Sequence, residues 1–215
     1  MKSVLSGKRA AIAAAIAAAF AATAALAAAP QAVAAPFDVN FDCSGDSPLG
    51  AQQFSLQQST DVTAPETVAP GAAFDVVVDP AVNTIPGEVN GNTVKKVGGF
   101  DLKIPIPANS TYVSADLAGG AGLGPNPPTI NVENGVATLH LDGPIAGGSE
   151  FELPTITVHL TAGESGTIET KLAGTSYEDP GLTFTAVVSS AIGDVDVPSA
   201  CFPNPNPTLT TTTIG

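Results

Sequence analysis

Glycine, proline and asparagine interrupt the chain so regularly after residue 35 that no segment there keeps the period of a helix. Between these breaks lie short runs rich in Val, Ile, Thr and Phe, a spacing that is typical of all-β domains. A sheet needs an apolar partner for its buried face, so two sheets packed face to face are the economical solution. We therefore predict an all-β fold, an antiparallel two-sheet sandwich of about nine strands.

Three local patterns add detail to this prediction. Residues 37–42 alternate apolar and polar side chains, which places the apolar ones on one face of a strand. Asn134-Gly135 predicts a tight hairpin, because both residues tolerate the positive φ of a type I′ turn. Gly98-Gly99, inside the run from Val94 to Ile106, predicts a bulge or a sharp bend.

The first 34 residues have the three parts of a secretory signal peptide. Three basic residues lie among the first nine, an almost unbroken apolar run extends from Ala10 to Ala29, and Ala32-Val33-Ala34 offers a small-residue cleavage site. The run is long enough to span a bilayer, but alanine dominates it and is only weakly hydrophobic. We predict cleavage near Ala34 and a protein that is secreted or associated with the cell envelope, with no transmembrane segment in the mature chain.

The predicted mature chain fits one domain in length. We assign residues 1–34 to the signal peptide, 35–202 to the β-sandwich domain and 203–215 to a Pro/Thr-rich tail. Alternate prolines favour an extended path, and the threonine run offers little apolar surface for a core. We expect this tail to be exposed and to be a candidate for O-glycosylation.

The charge of the chain excludes one large class of partner. The net charge is −13 at pH 7, and cleavage would remove three of the seven basic residues and none of the 20 acidic ones, which lowers it to −16. Nucleic-acid binding needs clustered Lys and Arg, so we predict no nucleic-acid partner. The acidic surface also serves to keep an exported protein soluble.

Two cysteines, Cys43 and Cys201, lie near the two ends of the predicted mature chain. An even number of cysteines in an exported protein indicates a disulfide, and two allow one intramolecular pairing. We predict a Cys43–Cys201 disulfide, which would tie the first strand of the domain to the last.

Groups that perform catalysis are scarce. After residue 34 there is no Arg, no Trp and no nucleophile-elbow or dinucleotide-binding motif. Paired carboxylates such as Glu150 and Glu152 could in principle act as a glycosidase pair, but Phe151 between them indicates a strand with both acids on its solvated face. We predict that the protein is not an enzyme and needs no cofactor.

Metal binding has weak candidates only, namely Asp38, Asn40, Asp42, Asp194 and Asp196. The first three imitate the start of an EF-hand loop, but its sixth position holds Cys43 instead of Gly and its twelfth holds Leu49 instead of Glu. Strand alternation explains their spacing equally well, and we predict no metal site.

The two histidines, His140 and His159, share the polar faces of their strands with Thr and Asp residues. We expect both to face solvent. Neighbouring strands could bring them together as two metal ligands, but no third ligand stands at a matching spacing.

The chain resembles exported actinobacterial proteins with immunoglobulin-like β-sandwich domains. The likeness rests on Phe41-Asp42-Cys43, on residues 67–71 before the run Phe74 to Val78, and on residues 182–185 before Cys201. It implies an immunoglobulin-like form of the sandwich and an exported location. That group has no established catalytic residues, so the resemblance implies no site residue.

These observations favour a non-catalytic secreted or cell-envelope protein with a structural, adhesive or partner-binding role. One alternative is a carbohydrate-binding module, for which Tyr112 and Tyr177 are the candidate stacking platforms. The other is a pore-forming subunit of the envelope, which frequent prolines and the absence of an aromatic girdle disfavour. An envelope glycan or protein is the partner that these readings imply.

Overall fold

The structure is a computed structural model that describes residues 31–33, 36–48, 50–190 and 193–215. Every regular element in this part of the chain is a β-strand. The strands are β1 (Gln31–Val33), β2 (Phe37–Gly45), β3 (Gln52–Pro65), β4 (Thr67–Val68), β5 (Ala73–Pro80), β6 (Asn83–Thr84), β7 (Glu88–Val89), β8 (Asn92–Pro105), β9 (Ser110–Ala118), β10 (Thr129–Glu133), β11 (Val136–Leu141), β12 (Ile145–Ala146), β13 (Glu150–Phe151), β14 (Thr155–Ala162), β15 (Gly166–Thr170), β16 (Leu182–Ser190), β17 (Gly193–Pro203) and β18 (Thr210–Ile214).

One large antiparallel sheet dominates the fold. Its strands follow the order β10-β11-β8-β16-β17-β2-β3-β5-β14-β9, and β1, β7 and β12 attach to its sides. The two end strands, β9 and β10, lie close to each other, so the sheet curls almost fully round. Two small sheets, β13-β6 and β15-β18-β4, complete the fold, and β18–β4 is a parallel pair.

The predicted all-β, antiparallel character is confirmed, but the strands exceed the nine expected. Several of the additional strands are two residues long and carry no periodic pattern. Two long ones, β3 and β9, are rich in Gln, Ser and Thr. Their polar composition hides the alternation from which strands are predicted.

The three local predictions are confirmed. In β2, Val39 and Phe41 are buried whereas Asp38 and Asn40 are exposed. Asn134 and Gly135 both have positive φ, 51° and 76°, and join β10 to β11 in a hairpin. The register between β8 and β16 shifts next to Gly99, whose φ is 62°, so β8 has a bulge there.

The amino-terminal prediction is only partly accessible to the structure. Residues 1–30 and the predicted cleavage position Ala34 lie outside the described residues. The described strand β1 precedes that position and pairs with Thr63–Pro65 at the end of β3.

The predicted disulfide is confirmed. Cys43 in β2 and Cys201 in β17 are direct partners in the register of the two strands, and both are fully buried. They are 158 residues apart in sequence. Closing so long a loop restricts the unfolded chain and stabilises the fold by up to about 5 kcal/mol in the chain-entropy treatment.

The expectation of an exposed tail is wrong for the last residues. Leu209, Thr212 and Ile214 are buried, and β18 pairs with both β15 and β4. Thr212 donates a hydrogen bond from Oγ1 to the carbonyl oxygen of Pro65 at 2.7 Å. Threonine suits such a strand because its methyl group packs inward while its hydroxyl finds a backbone acceptor.

Replacing both cysteines by alanine should lower the free energy of unfolding by about 2–5 kcal/mol, because the unfolded chain regains its freedom. Guanidinium denaturation monitored by circular dichroism would measure the loss. A reducing agent should destabilise the wild type and leave the double variant unchanged. A loss below about 1 kcal/mol would contradict this assignment of the disulfide's role.

The buried strand β18 predicts unequal effects at two adjacent positions. Ile214→Ala should cost about 2–4 kcal/mol, since it empties a packed site. Thr213→Ala, on the exposed face of the same strand, should change stability by less than about 0.5 kcal/mol. If both substitutions change stability by the same small amount, the carboxy-terminal strand is a detached tail and the prediction is wrong.

Candidate functional site

The curled sheet encloses a cavity of about 600 Å³, which we call the chamber. Its wall is formed largely by the inner faces of β2, β3, β8, β16 and β17. Most of the lining is aliphatic or aromatic, namely Val39, Phe41, Phe54, Leu56, Val78, Ile85, Val89, Val94, Val97, Phe100, Leu102, Leu141, Phe151, Leu153, Leu172, Leu182, Phe184, Ala186, Val188, Val195, Val197 and Leu209.

The exposure of inward-facing residues changes along the strands and marks where the chamber opens. On β3, Thr60 is buried, Leu56 and Phe54 are half-buried, and Gln52 is exposed. On β17, Ser199 is buried and Val195 is half-buried. These strand ends are neighbours, because Gly45 of β2 pairs with both Gln52 and Ser199. The mouth of the chamber therefore lies where the β2–β3 and β16–β17 hairpins turn.

The opposite end of the chamber is closed by large apolar side chains. The ring of Phe100 lies 5.2 Å from that of Phe184 and 6.5 Å from that of Phe151, centroid to centroid. Leu172 and Leu209 are buried and also line this interior. Leu209 belongs to the segment that was expected to be an exposed tail, so residues of this segment contribute to the wall.

Residues 81–92, which we call the strap, cover the flank of the chamber beside the first half of β3. Asn83 donates from Nδ2 to the carbonyl oxygen of Gln57 at 2.8 Å, and Asn90 donates to that of Gln53 at 3.4 Å. Gln58 donates to the carbonyl oxygen of Ala81 at 2.8 Å. These amide side chains take the place of the ladder hydrogen bonds that a neighbouring strand would provide along this edge.

The described lining contains no ionisable side chain, although the chain has 20 acidic and seven basic residues. Its polar members carry amides or hydroxyls, namely Ser47, Gln52, Ser55, Gln57, Gln58, Thr60, Asn83, Thr84, Asn90, Asn92, Ser190 and Ser199. General acid–base catalysis and charge stabilisation need titratable or charged groups beside the reacting atoms. The wall is mainly apolar, and none of its described side chains provides such a group.

The candidate metal ligands lie outside the chamber. Asp38 accepts a hydrogen bond from the Ser59 hydroxyl, and Asp42 accepts one from Nδ2 of Asn204 at 2.7 Å. Asp194 accepts one from the Ser189 hydroxyl at 2.9 Å. Among the described residues, no three His, Cys, Asp or Glu side chains are grouped so that they could hold a metal ion.

The two candidate stacking tyrosines do not present open rings. Tyr112, on β9, is half-buried and packs against the core. Tyr177 lies in the segment between β15 and β16, where its ring meets that of Phe202 edge-on at a centroid distance of 5.2 Å. A sugar stacks on the exposed face of an aromatic ring, so both positions are poorly arranged for that role.

Each histidine bridges two aspartates on the outer surface, which the sequence did not reveal. His140 contacts Asp101 at 2.7 Å and Asp142 at 3.0 Å, and His159 contacts Asp75 at 2.6 Å and Asp116 at 2.9 Å. Their strands, β11 and β14, are not neighbours in the sheet, so they do not form the pair of metal ligands that was considered. Asp142 is two residues from His140 and shares its polar face, but the other three aspartates are 39, 43 and 84 residues from their histidines, so no local motif indicates them.

Hydrogen bonds to these carboxylates raise the pKa of both histidines. For His140 the main cause is the bond to Asp101, followed by that to Asp142. For His159 the main cause is the bond to Asp116, followed by that to Asp75. In turn, the bond from His140 is the main cause of the lowered pKa of Asp142. The bridges are strongest when the histidines are protonated.

Comparison with known proteins gives one informative result. No family model and no curated protein matches the chain. A solved structure of a Corynebacterium diphtheriae protein, provisionally named as membrane-anchored, is similar at a TM-score of 0.57 and 21% identity. The match covers 84% of this chain and 38% of that one, so this chain spans well under half of its neighbour's length. At this identity the likeness shows a shared fold, in a protein of an actinobacterium.

The name of the similar protein says nothing about a membrane-spanning helix in this chain. The described residues contain no helix with the length and apolarity that such a crossing needs.

The histidine bridges predict a pH dependence of stability. Because the folded-state pKa of each histidine is raised, their stabilisation is complete below the ordinary value of 6.5 and is lost as the pH rises through the raised value. Each contribution should be below about 1 kcal/mol, since the pairs are partly exposed. Urea denaturation from pH 5.5 to 8.5 should show a decline that a His140→Gln/His159→Gln variant lacks. An identical slope in both proteins would contradict the prediction.

Proposed function

We propose that this protein binds an apolar small molecule in the chamber, outside the cytoplasm, and does not transform it chemically. The observation that carries the proposal is the lining, which combines a volume of about 600 Å³ with a wall free of ionisable side chains among the described residues. The role is a narrower form of the partner-binding role that the sequence favours.

The size and chemistry of the chamber support this proposal. Ligand sites in proteins commonly have volumes of roughly 300–1,000 Å³ and mostly apolar linings. Transfer of each methylene group from water into such a site is favourable by about 0.8 kcal/mol. A molecule with several methylene groups therefore gains enough free energy to bind without any ionic contact.

The proposed location outside the cytoplasm has two supports besides the amino-terminal sequence. A disulfide such as Cys43–Cys201 persists in oxidising compartments. The similar solved structure is of an actinobacterial protein that is provisionally named as membrane-anchored. An envelope rich in lipids would supply apolar molecules that need a carrier or a holder.

The finer description of the fold is part of the proposal. We propose that the curled sheet is a form of the immunoglobulin-like sandwich in which the two inner faces have moved apart. Facing positions then line a chamber instead of meeting in a core. The half-buried state of Phe54 and Val195, which point inward, supports this view.

The earlier alternatives receive less support. Carbohydrate binding would use open aromatic rings, but Tyr112 and Tyr177 are half-buried. A pore for ions would favour a polar or charged interior, whereas the described lining is mainly apolar. We keep a non-catalytic role as the proposal because neither histidine lines the chamber.

Binding of an uncharged environment-sensitive dye, N-phenyl-1-naphthylamine, tests the proposal. We expect saturable fluorescence enhancement with the wild-type protein. Val188→Trp should weaken binding at least tenfold, because Val188 faces inward near the mouth and a larger ring would fill that space. Fluorescence titration and thermal unfolding would be recorded for each protein.

Val187→Trp is the matched control, since Val187 is the adjacent residue of β16 and does not line the chamber. It should leave dye affinity within about twofold of wild type. No saturable binding by the wild type, or equal weakening by the two tryptophans, would refute the proposed site. Native mass spectrometry of protein purified from its host would show whether a ligand is already bound.

A further inference from the structure

We propose that the ligand is an uncharged amphiphile with one aliphatic chain, held with its chain in the chamber and its hydrogen-bonding head at the mouth. This inference rests on the proposed function and narrows it to a ligand class. It follows from the charge, the polar groups and the volume of the site.

The distribution of lysines disfavours an anionic head. Four lysines follow residue 34, and none of them lines the chamber. Lys103 donates to the carbonyl oxygen of Pro180 at 3.3 Å, and Lys171 pairs with Glu169 at 2.9 Å. Lys95 and Lys96 are exposed on β8, outside the lining. A carboxylate or phosphate head at the mouth would thus meet no cation.

Acidic residues do not form a binding site for a cationic head group at the mouth either. Asp46 and Asp194 lie close in sequence to the hairpins at the mouth, but neither lines the chamber. The Asp194 carboxylate accepts its hydrogen bond from Ser189 instead. An ammonium head would be drawn to the acidic surface in general but would not be held at this position.

The polar groups at the mouth match an uncharged head. Gln52 points inward at the exposed end of β3, and its side-chain amide makes no hydrogen bond within the described residues. Asn90 and Asn92 of the strap also line this region. A primary amide presents donors and an acceptor together, which suits a hydroxyl or another amide better than a group that only accepts or only donates.

The volume favours one chain over two. Water occupies about 30 Å³ in the liquid, so a chamber of about 600 Å³ holds the equivalent of roughly 20 waters. A methylene group takes up nearly the same space as a water molecule. One long alkyl chain therefore comes close to filling the chamber, whereas a lipid with two such chains exceeds it.

Displacement of the bound dye by amphiphiles with the same chain tests the inference. The competitors are 1-palmitoylglycerol, palmitate, hexadecyltrimethylammonium and dipalmitoylglycerol, each used below the concentration at which it aggregates. We expect 1-palmitoylglycerol to displace the dye at a concentration at least tenfold lower than any of the other three. Equal or better displacement by the anion, the cation or the two-chain lipid would overturn the proposal.

This design separates the failure of the two proposals. If the dye binds and the head groups are not distinguished, the chamber is a general apolar site and the inference on ligand class is wrong. If the dye does not bind and none of the four competitors is retained in native mass spectrometry, both proposals fail.

A pair of adjacent substitutions assigns the preference to the mouth. Gln52→Lys should improve displacement by palmitate at least fivefold, because it places a cation beside the head. Gln53→Lys adds the same charge on the opposite face of β3 and should leave the preference unchanged. An equal effect of the two substitutions would show that the overall charge of the protein determines how well palmitate displaces the dye. That result would overturn the placement of the head at Gln52.

Discussion

Hydrogen bonds between neighbouring strands of a single large sheet determine the shape of this molecule. The sheet bends round until its two end strands, β9 and β10, lie close together. The interior of a closed sheet widens as strands are added, and about eight strands already leave only as much space as side chains or one small ligand can fill. The main path here has ten strands. Across the interior, the rings of Phe54 on β3 and Phe184 on β16 still meet at a centroid distance of 6.3 Å, yet a cavity of about 600 Å³ remains beside them. The chamber is in keeping with the number of strands, and the composition of its wall decides what can enter.

Charge is separated across the thickness of this sheet. The described lining of the chamber carries no ionisable side chain, whereas aspartates and histidines pair on the outer face. His159 joins three strands, because its partners Asp75 and Asp116 lie on β5 and β9, the neighbours of β14. Ionic contacts thereby link neighbouring strands on the outer surface, whereas the described chamber lining is uncharged.

The sequence predicts those parts of the structure in which a residue's neighbours along the chain determine its environment. Alternation in β2 and the Asn134-Gly135 hairpin are of this kind, and the disulfide follows from counting cysteines. Strand β3 is hard to predict because a wall that borders an empty space tolerates Gln52 and Gln58 at inward positions. Strand β18 is hard to predict because threonine is read as a tail residue, although here Thr212 is buried against β4 and β15.

The candidate site was beyond sequence reasoning for a different reason. A chamber has no motif, since its lining comes from scattered residues between 39 and 209 that are mostly apolar. The same apolar character is expected of a filled core. Whether inward side chains meet or leave a space depends on the curvature of the sheet, which no local pattern encodes. The histidine bridges are equally non-local, as Asp101 and His140 are 39 residues apart.

The position of Leu209 in the chamber wall has a consequence for how the site comes into being. Phe41, on the same wall, comes from the other end of the domain, and β17 can pair with β2 only after nearly all the intervening strands have been made. During synthesis from the amino terminus, the apolar strands are therefore made long before β17 can pair with β2 and close the chamber around them. Contacts of such high sequence separation form slowly, and the exposed strands are meanwhile open to aggregation. Until then, the side chains that will line the chamber face solvent, and the wall is exposed on the side that the finished fold encloses.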